Sequence, residues 1–73
     1  MAQVTVVSEV NGSVWKIVVK VGDSVSQDDP LLYVESMKME IPVVAPQSGV
    51  VTELMVTEGH SLSEGDPVAL LRT

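Results

Sequence analysis

Lys38 stands at the centre of an unusual stretch of the sequence, Glu-Ser-Met-Lys-Met-Glu at residues 35–40. Methionine flanks it on both sides, and no Gly, Asn or Pro announces a turn. A lysine amine provides either a positive charge or, once deprotonated, a nucleophile that can form a covalent bond. On a β-protein an exposed lysine also commonly aids solubility or protects a sheet edge, and methionines at a turn can be loose packing. The residue types alone leave both interpretations open.

The chain around Lys38 has to reverse direction. Residues 31–44 form a continuous β-forming run that would extend for about 46 Å as one strand, whereas a compact domain of 73 residues is roughly 30 Å across. Apolar residues before and after the lysine share one face of a sheet only if the connecting loop has an even number of residues. Loops at Met37-Lys38 and at Lys38-Met39 both satisfy this condition. The sequence therefore predicts a β-hairpin with Lys38 in its loop.

A loop at residues 37–38 breaks two local preferences. Two-residue hairpin loops normally need positive φ, which favours Asn-Gly or a Gly at the centre. In that register Ser36 pairs with Met39 and Glu35 faces Glu40, and facing like charges are mildly destabilising. Local preferences are broken most often where function is served. A functional turn is therefore our hypothesis, and an ordinary exposed surface lysine remains the alternative.

The composition predicts one small all-β domain over residues 1–73. Sixteen valines, no phenylalanine, one tryptophan and one tyrosine indicate an aliphatic core built from strands. No helical periodicity is sustained, because Gly or Pro interrupts most windows long enough to show one. The chain has no cysteine, which is compatible with a reducing compartment.

Charge and hydropathy argue against several classes of partner. Ten acidic and four basic residues give a formal net charge of −6, which repels nucleic acids and anionic lipids. The N-terminus lacks the basic start and apolar core of a signal peptide, and no apolar run approaches the length of a membrane span. We expect a soluble, cytoplasmic protein that binds neither nucleic acid nor membranes.

The chain contains an internal repeat with an offset of 37 residues. Residues 11–36 align with residues 48–73, and eight of the 26 pairs are identical: Gly12/Gly49, Val14/Val51, Val19/Val56, Gly22/Gly59, Ser24/Ser61, Ser26/Ser63, Asp29/Asp66 and Pro30/Pro67. Each half then predicts four strands separated by a Gly turn, a Gly-centred turn and an Asp-Pro corner. Two such units would pack face to face about a pseudo-two-fold axis, as a sandwich or flattened barrel.

The repeat also predicts where the hairpin lies. Lys38 falls at the junction between the two units, and its equivalent in the other unit is Met1. A pseudo-two-fold axis would place the junction at one end of the molecule and both termini at the other. Lys38 should therefore lie far from the chain ends, whereas Lys16 and Lys20 should lie inside strands.

No second site is indicated elsewhere in the sequence. His60 is the only histidine, and no further ligand is spaced with it for a metal. One histidine and several turn serines do not suggest a catalytic triad, and there is no glycine-rich phosphate loop. Trp15 and Tyr33 are predicted to be packing residues. Because nothing beyond Lys38 offers chemistry, we do not expect an enzyme.

Residues 35–39, Glu-Ser-Met-Lys-Met, resemble the attachment motif of the biotinyl/lipoyl domain family. Residues 45–49, Ala-Pro-Gln-Ser-Gly, resemble the Ala-Pro-x-x-Gly element that follows this motif in the family. The repeated Gly-Asp and Asp-Pro positions also fit, so the similarity covers essentially the whole chain and is greatest to the short stand-alone bacterial members. Asp28 stands where Gly is common, but Asp tolerates left-handed geometry better than most residues.

This resemblance implies a flattened β-barrel (barrel-sandwich hybrid) of two four-stranded antiparallel sheets, with Lys38 on an exposed hairpin. The protein would be a carrier and a ligase substrate rather than a catalyst. A biotin protein ligase would join biotin to Lys38 through an amide, and the arm would carry a carboxyl group between biotin carboxylase and carboxyltransferase sites. Met37 and Met39 would be recognised by these partners, and Glu35 and Glu40 would supply recognition or orientation charges.

Two alternatives stay open. In the first, a lipoate ligase attaches lipoate to Lys38, as expected if the stand-alone members accept either group. Methionine on both sides of the lysine favours biotin over lipoate. The chain would otherwise be an unmodified adaptor that keeps the fold, although the intact Met-Lys-Met sequence argues against that. Lys16 and Lys20 should stay unmodified in every case.

Overall fold

Valine-rich segments form eight β-strands, because β-branched side chains favour the extended backbone. The structure is a computed structural model that describes residues 2–73. The strands are β1 (Gln3–Val7), β2 (Gly12–Ile17), β3 (Ser24–Val25), β4 (Pro30–Ser36), β5 (Met39–Val44), β6 (Gly49–Leu54), β7 (Ser61–Leu62) and β8 (Pro67–Arg72). The described residues contain no helix that is long and apolar enough to cross a membrane. The all-β prediction is confirmed.

The eight strands form two four-stranded antiparallel sheets that enclose the core as a flattened barrel. One sheet has the order β1-β8-β6-β3 and the other has the order β5-β4-β2-β7. The 37-residue offset relates β1–β4 to β5–β8 in order, so it converts one sheet into the other. The predicted packing of one repeat against the other is wrong in one respect, because each sheet takes two strands from each half. Alternation of apolar residues shows which face of a strand is buried, but not which strand lies beside it.

Hydrogen bonds in the loops obey the same internal symmetry. The Gly22 N–H donates to the carbonyl of Val51 at 2.7 Å, and the equivalent Gly59 N–H donates to the carbonyl of Val14 at 2.7 Å. Asp28 has a φ of 72° and its equivalent Gly65 has a φ of 92°. Asp28 thus takes the left-handed conformation for which Gly is normally preferred. The predicted pseudo-two-fold repeat is confirmed.

Aliphatic side chains from both sheets fill the interior. The buried set is Val6, Val14, Val25, Leu31, Leu32, Val34, Val43, Ala45, Val51, Val56, Leu62, Val68, Ala69 and Leu71. Ser8 is the buried polar residue, and its hydroxyl donates to the carbonyl of Val10 at 2.7 Å. Since several of these residues lie in β4 and β5, the arms of the Lys38 hairpin are rooted in the core.

Three sequence expectations are wrong in their local placement. Trp15 is 47% exposed, because a β-bulge between Val14 and Lys16 adds one residue to β2 and turns both Trp15 and Lys16 outward. Lys20 lies beyond the end of β2 at Ile17, where its N–H donates to an Asp23 carboxylate oxygen at 2.9 Å. Gly12 begins β2 rather than forming a turn. Lys16 does lie within a strand, as expected.

The hairpin and the chain ends lie at opposite ends of β1. Next to the first residues of β1, the Thr73 N–H donates to the carbonyl of Ala2 at 2.8 Å. The segment that follows β1, residues 9–11, lines the same cleft as Met37 in the hairpin. The molecule extends over 37 × 18 × 18 Å. The course of β1 from the chain ends to the hairpin agrees with the prediction that Lys38 lies far from the ends. The prediction also named Met1, which lies outside the described residues.

Candidate functional site

The hairpin between β4 and β5 turns at Met37 and Lys38. Ser36 pairs with Met39 across the turn, which selects the first of the two predicted loops. Met37 has a φ of 52° and Lys38 has a φ of 66°, the pair of positive values that a type I′ turn requires. In residues 2–73 the other non-glycine residue with positive φ is Asp28. The predicted backbone strain at this turn is therefore present in the structure.

The side chains at the turn point into solvent rather than packing together. Met37 is 93% exposed and Met39 is 63% exposed, and Lys38 between them is exposed as well. Exposed apolar side chains gain nothing from hydrophobic burial in the isolated molecule. Loose turn packing is thus a poor account of Met37. The two thioethers and the amine form one accessible group of side chains at the end of the molecule.

The two arms of the hairpin are supported unequally. β4 lies between β2 and β5, whereas β5 is an edge strand that pairs with β4 alone. Pro42 occurs in β5, where an edge position tolerates a residue without an N–H. Three residues before Met37, Val34 of β4 is fully buried and pairs with Ile41 of β5. The position of Lys38 is therefore set by β4 and its packing on the core.

Glu35 and Glu40 form a cross-strand pair immediately below the turn. Both carboxylates are exposed, so solvent weakens the repulsion between them. The sequence predicted this pairing together with the register, and both are confirmed. Their negative charges flank the base of the turn that carries the Lys38 amine.

An open cleft adjoins the hairpin and contains residues that the sequence analysis missed. Its walls come from the segment before β2, the end of β4 and the residues around β7, and they include Glu9, Asn11, Glu35, Met37 and Glu64. The Glu64 N–H donates to Asn11 Oδ1 at 2.7 Å, which joins two segments far apart in the chain. The equivalent contact in the other half joins the Gln27 N–H to Ser48 Oγ at 3.3 Å, and the sequence gives no signal for either contact.

The other candidate residues lie apart from this turn. Lys16 is exposed on β2, and Lys20 precedes a turn whose backbone it helps to close. His60 is an exposed residue that follows the Gly59 turn, as expected for a surface turn residue. Among residues 2–73, no group of three His, Cys, Asp or Glu side chains is arranged to hold a metal ion. The predicted site therefore consists of the turn and its base.

Part of the chain is similar to curated bacterial proteins. A biotin/lipoyl attachment protein of Bacillus subtilis strain 168 is 44% identical over 39 residues, which are 53% of this chain and 53% of that protein. A biotinylated protein TB7.3 homologue of Mycolicibacterium smegmatis is 50% identical over 36 residues, which are 49% of this chain and 51% of that protein. The similarity thus spans about half the length of the curated relatives that the chain matches.

Solved structures share the whole fold. The urea carboxylase of Kluyveromyces lactis superposes with a TM-score of 0.93 at 35% identity, over 99% of this chain and 6% of that one. A single-chain, multi-domain long-chain acyl-CoA carboxylase superposes with a TM-score of 0.89 at 25% identity, over 97% of this chain and 7% of that one. This chain corresponds to a small part of each of these large proteins.

A family model extends the similarity along nearly the full sequence. The biotin/lipoyl model, described as "Biotin-requiring enzyme", matches residues 2–71. This range includes the Lys38 turn, both of its arms and the whole core. Domains of this kind are carrier modules rather than catalysts, in agreement with the prediction from the sequence. The match, the superposed structures and the two-sheet fold together show that the chain belongs to the biotin/lipoyl attachment family.

Proposed function

We propose that the chain is a biotin carboxyl carrier and that Lys38 is its attachment residue. The observation that carries this proposal is the type I′ turn, which holds Lys38 between two exposed methionines at the end of the β4–β5 hairpin. A fixed scaffold that presents one amine is the geometry expected of a carrier. The biotinylated mycobacterial relative supports biotin as the group.

The residues present fit a covalently attached arm. Lys38 is exposed, and its turn extends beyond the last residue pair between β2 and β4, Ser13–Glu35. A long substituent on Nζ can therefore be added without displacing the core. When bound, biotin would supply a ureido nitrogen that accepts a carboxyl group at one enzyme and releases it at another.

Lys38 takes part in one covalent step. A biotin protein ligase would first join biotin to AMP through its carboxyl group, using ATP and releasing pyrophosphate, and the deprotonated Nζ of Lys38 would then attack that carboxyl carbon. The new C–N bond is an amide, and the bond to AMP breaks as AMP leaves. The step removes one positive charge from a chain whose formal net charge is −6. Modified and unmodified protein should separate on a native gel.

The residues around Lys38 would let partners recognise the correct lysine. Met37 and Met39 offer apolar contacts that are available because both side chains are exposed. Glu35 and Glu40 offer two negative charges at a fixed separation across the strands. A ligase, a biotin carboxylase and a carboxyltransferase would each approach this end of the molecule.

Lipoate is the second candidate group. The Bacillus subtilis relative is named a biotin/lipoyl attachment protein, and its similarity covers about half of this chain. The same exposed amine can form an amide with either cofactor. A lipoate ligase would then be the partner, and the carrier would transfer acyl groups or electrons.

Intact mass spectrometry tests the proposal. The full chain is incubated with ATP, biotin and a biotin protein ligase, and in parallel with lipoate and a lipoate ligase. Lys38→Arg keeps the charge but removes the attachment site, whereas Lys16→Arg and Lys20→Arg serve as matched controls. We expect one biotin per chain in the wild type and both controls, and none in Lys38→Arg.

Other outcomes would change the assignment. A lipoyl increment without a biotin increment would move the protein to acyl or electron transfer. No increment with either ligase would contradict the carrier function and favour an unmodified adaptor. An increment that persists in Lys38→Arg would place the attachment site elsewhere.

A further inference from the structure

Gly12 lies beside the last point at which the rest of the sheet holds the hairpin. The residue pairing between β2 and β4 ends at Ser13–Glu35 on the side of the turn. Gly12 is the residue before Ser13, and it pairs instead with Leu62 of β7. Beyond this pair, the β4 arm that leads to Lys38 is held in the sheet by its pairing with the edge strand β5.

The backbone of β4 approaches Gly12 too closely for any other residue. A Cβ atom at this position would overlap the carbonyl oxygen of Glu35 and would lie 2.7 Å from Val34 Cγ1. Gly12 is not among the glycines with positive φ. Close approach, and not a left-handed backbone, is therefore the reason for glycine at this position. A side chain would have to push the Glu35 end of β4 away from β2.

We propose that Gly12 is a positioning residue for Lys38. It lets the β4 arm lie close against β2 and so sets where the turn presents the lysine amine. The crowding falls on both Val34 and Glu35, and a shift of either residue moves the turn that starts two residues after Glu35. The consequence for modification rests on the proposed function of Lys38.

The internal repeat provides a matched control. Gly49 is the equivalent of Gly12, and a Cβ atom there would lie 2.7 Å from the carbonyl oxygen of Arg72. Arg72 pairs with Gln3 beside the chain ends, at the other end of the molecule from the turn. Gly12→Ala and Gly49→Ala therefore both crowd a backbone carbonyl, and only Gly12→Ala does so beneath Lys38. The nearest side chain is the buried Val34 in the first variant and the exposed Thr73 in the second, so each variant is compared at a temperature where it is folded.

The experiment measures ligase kinetics and backbone displacement in both variants. Biotin transfer by a biotin protein ligase is followed with full-length chain, below the melting temperature of each protein as determined by circular dichroism. We expect kcat at saturating carrier to fall roughly ten- to hundredfold in Gly12→Ala, because small misplacements of a reacting group slow the chemical step strongly. Gly49→Ala should keep the wild-type kcat. A loss of folded protein alone would raise the apparent KM and leave kcat unchanged.

Amide chemical shifts provide a second readout that needs no ligase. In Gly12→Ala they should change over residues 35–40, and in Gly49→Ala they should change around residues 72–73 and 2–3. An unchanged kcat in Gly12→Ala would overturn the proposal, whether or not the shifts change, as would equal losses of kcat in the two variants. If the wild type accepts no biotin, the proposed function fails, and shift changes in Gly12→Ala that extend from the neighbours of residue 12 to the turn at residues 36–40 would still support the positioning role.

Discussion

Lys38 differs from Lys16 and Lys20 in its backbone rather than in its exposure. All three side chains are exposed, but Lys38 alone among them has positive φ and follows an apolar residue with positive φ. This conformation closes the hairpin in a two-residue turn with Lys38 at its tip. Selectivity among chemically equal amines would then come from the position of the turn and from its neighbours, Met37 and Met39.

The Glu35–Glu40 pair leads to a prediction at the scale of single residues. Glu40→Gln should raise the free energy of unfolding by about 0.2–0.5 kcal/mol, because it removes repulsion between facing carboxylates. The gain should shrink at high salt. If the charges aid recognition, the same variant should lower kcat/KM for the ligase severalfold. Urea denaturation and steady-state biotinylation measure the two effects.

Glu53→Gln is the control for this prediction. Glu53 is exposed on β6 and pairs with Leu70 rather than with an acidic residue. It should change neither stability nor modification. A stability gain in Glu40→Gln without any loss of kcat/KM would show that Glu40 is solvated surface and not a recognition charge.

The hairpin as an element combines a strained turn with well-anchored arms. Met37 and Lys38 adopt φ values that favour Asn and Gly, whereas the arms pair in register from Ser36–Met39 downward. The core contacts of β4 and β5 offset the strain in the turn. A more favourable turn sequence would be available if stability were the only requirement.

Replacing Met37 tests this interpretation at the scale of the element. Met37→Asn should raise the free energy of unfolding by about 0.5–1 kcal/mol, since Asn adopts the left-handed conformation more readily than Met. It should also slow biotinylation, because the ligase loses the apolar contact that the exposed Met37 side chain offers. Urea denaturation and ligase kinetics provide the two measurements.

Met39→Asn is the matched control, since Met39 lies in β5 and not among the residues with positive φ. It should not gain stability, because Asn is unfavourable in strands. Equal stability changes in the two variants would mean that polarity, and not backbone conformation, determines the effect.

At the scale of the whole molecule, the chain ends occupy the place that corresponds to the Lys38 turn. Ser36 and Met39 flank the turn, and their equivalents across the repeat are Thr73 and Ala2. Thr73 donates its N–H to the carbonyl of Ala2 at 2.8 Å. The fold thus has two equivalent hairpin positions, one closed by a turn and one left open by the ends.

This symmetry predicts that a circular permutant will fold. Asn-Gly joins Thr73 to Ala2 in place of Met1, and the chain is opened between Lys20 and Val21 in an exposed loop. The free energy of unfolding should remain within roughly 2 kcal/mol of the natural order, because loop-closure terms change slowly with length. Circular dichroism and urea denaturation measure the result, and biotinylation of Lys38 should persist.

A permutant opened between Val34 and Glu35, inside the central strand β4, is the control and should not fold. Failure of the first permutant would contradict the equivalence of the two positions. Folding of both would show that β4 continuity is unnecessary for the hairpin.

Local pattern and internal repetition decided much of this protein from the sequence alone. Valine-rich alternation specifies strands, and a side-chain period of two residues restricts the loop to an even length, which places Lys38 in the turn. The 37-residue offset specifies the pseudo-two-fold axis and the separation of the hairpin from the chain ends. Strand alternation depends on residue spacing within one segment, and the repeat depends on similarity between two segments. Both can be seen in the sequence directly.

Only the tertiary structure decided which distant segments meet. It interleaves the halves so that β4 lies beside β2 and β8 beside β6, and it inserts the bulge that exposes Trp15. It also brings Gly12 against Glu35 and closes the cleft wall through Asn11 and Glu64. Strand pairing and close approach depend on the packing of the whole core, since backbone hydrogen bonds are the same for every residue type and do not encode their partner.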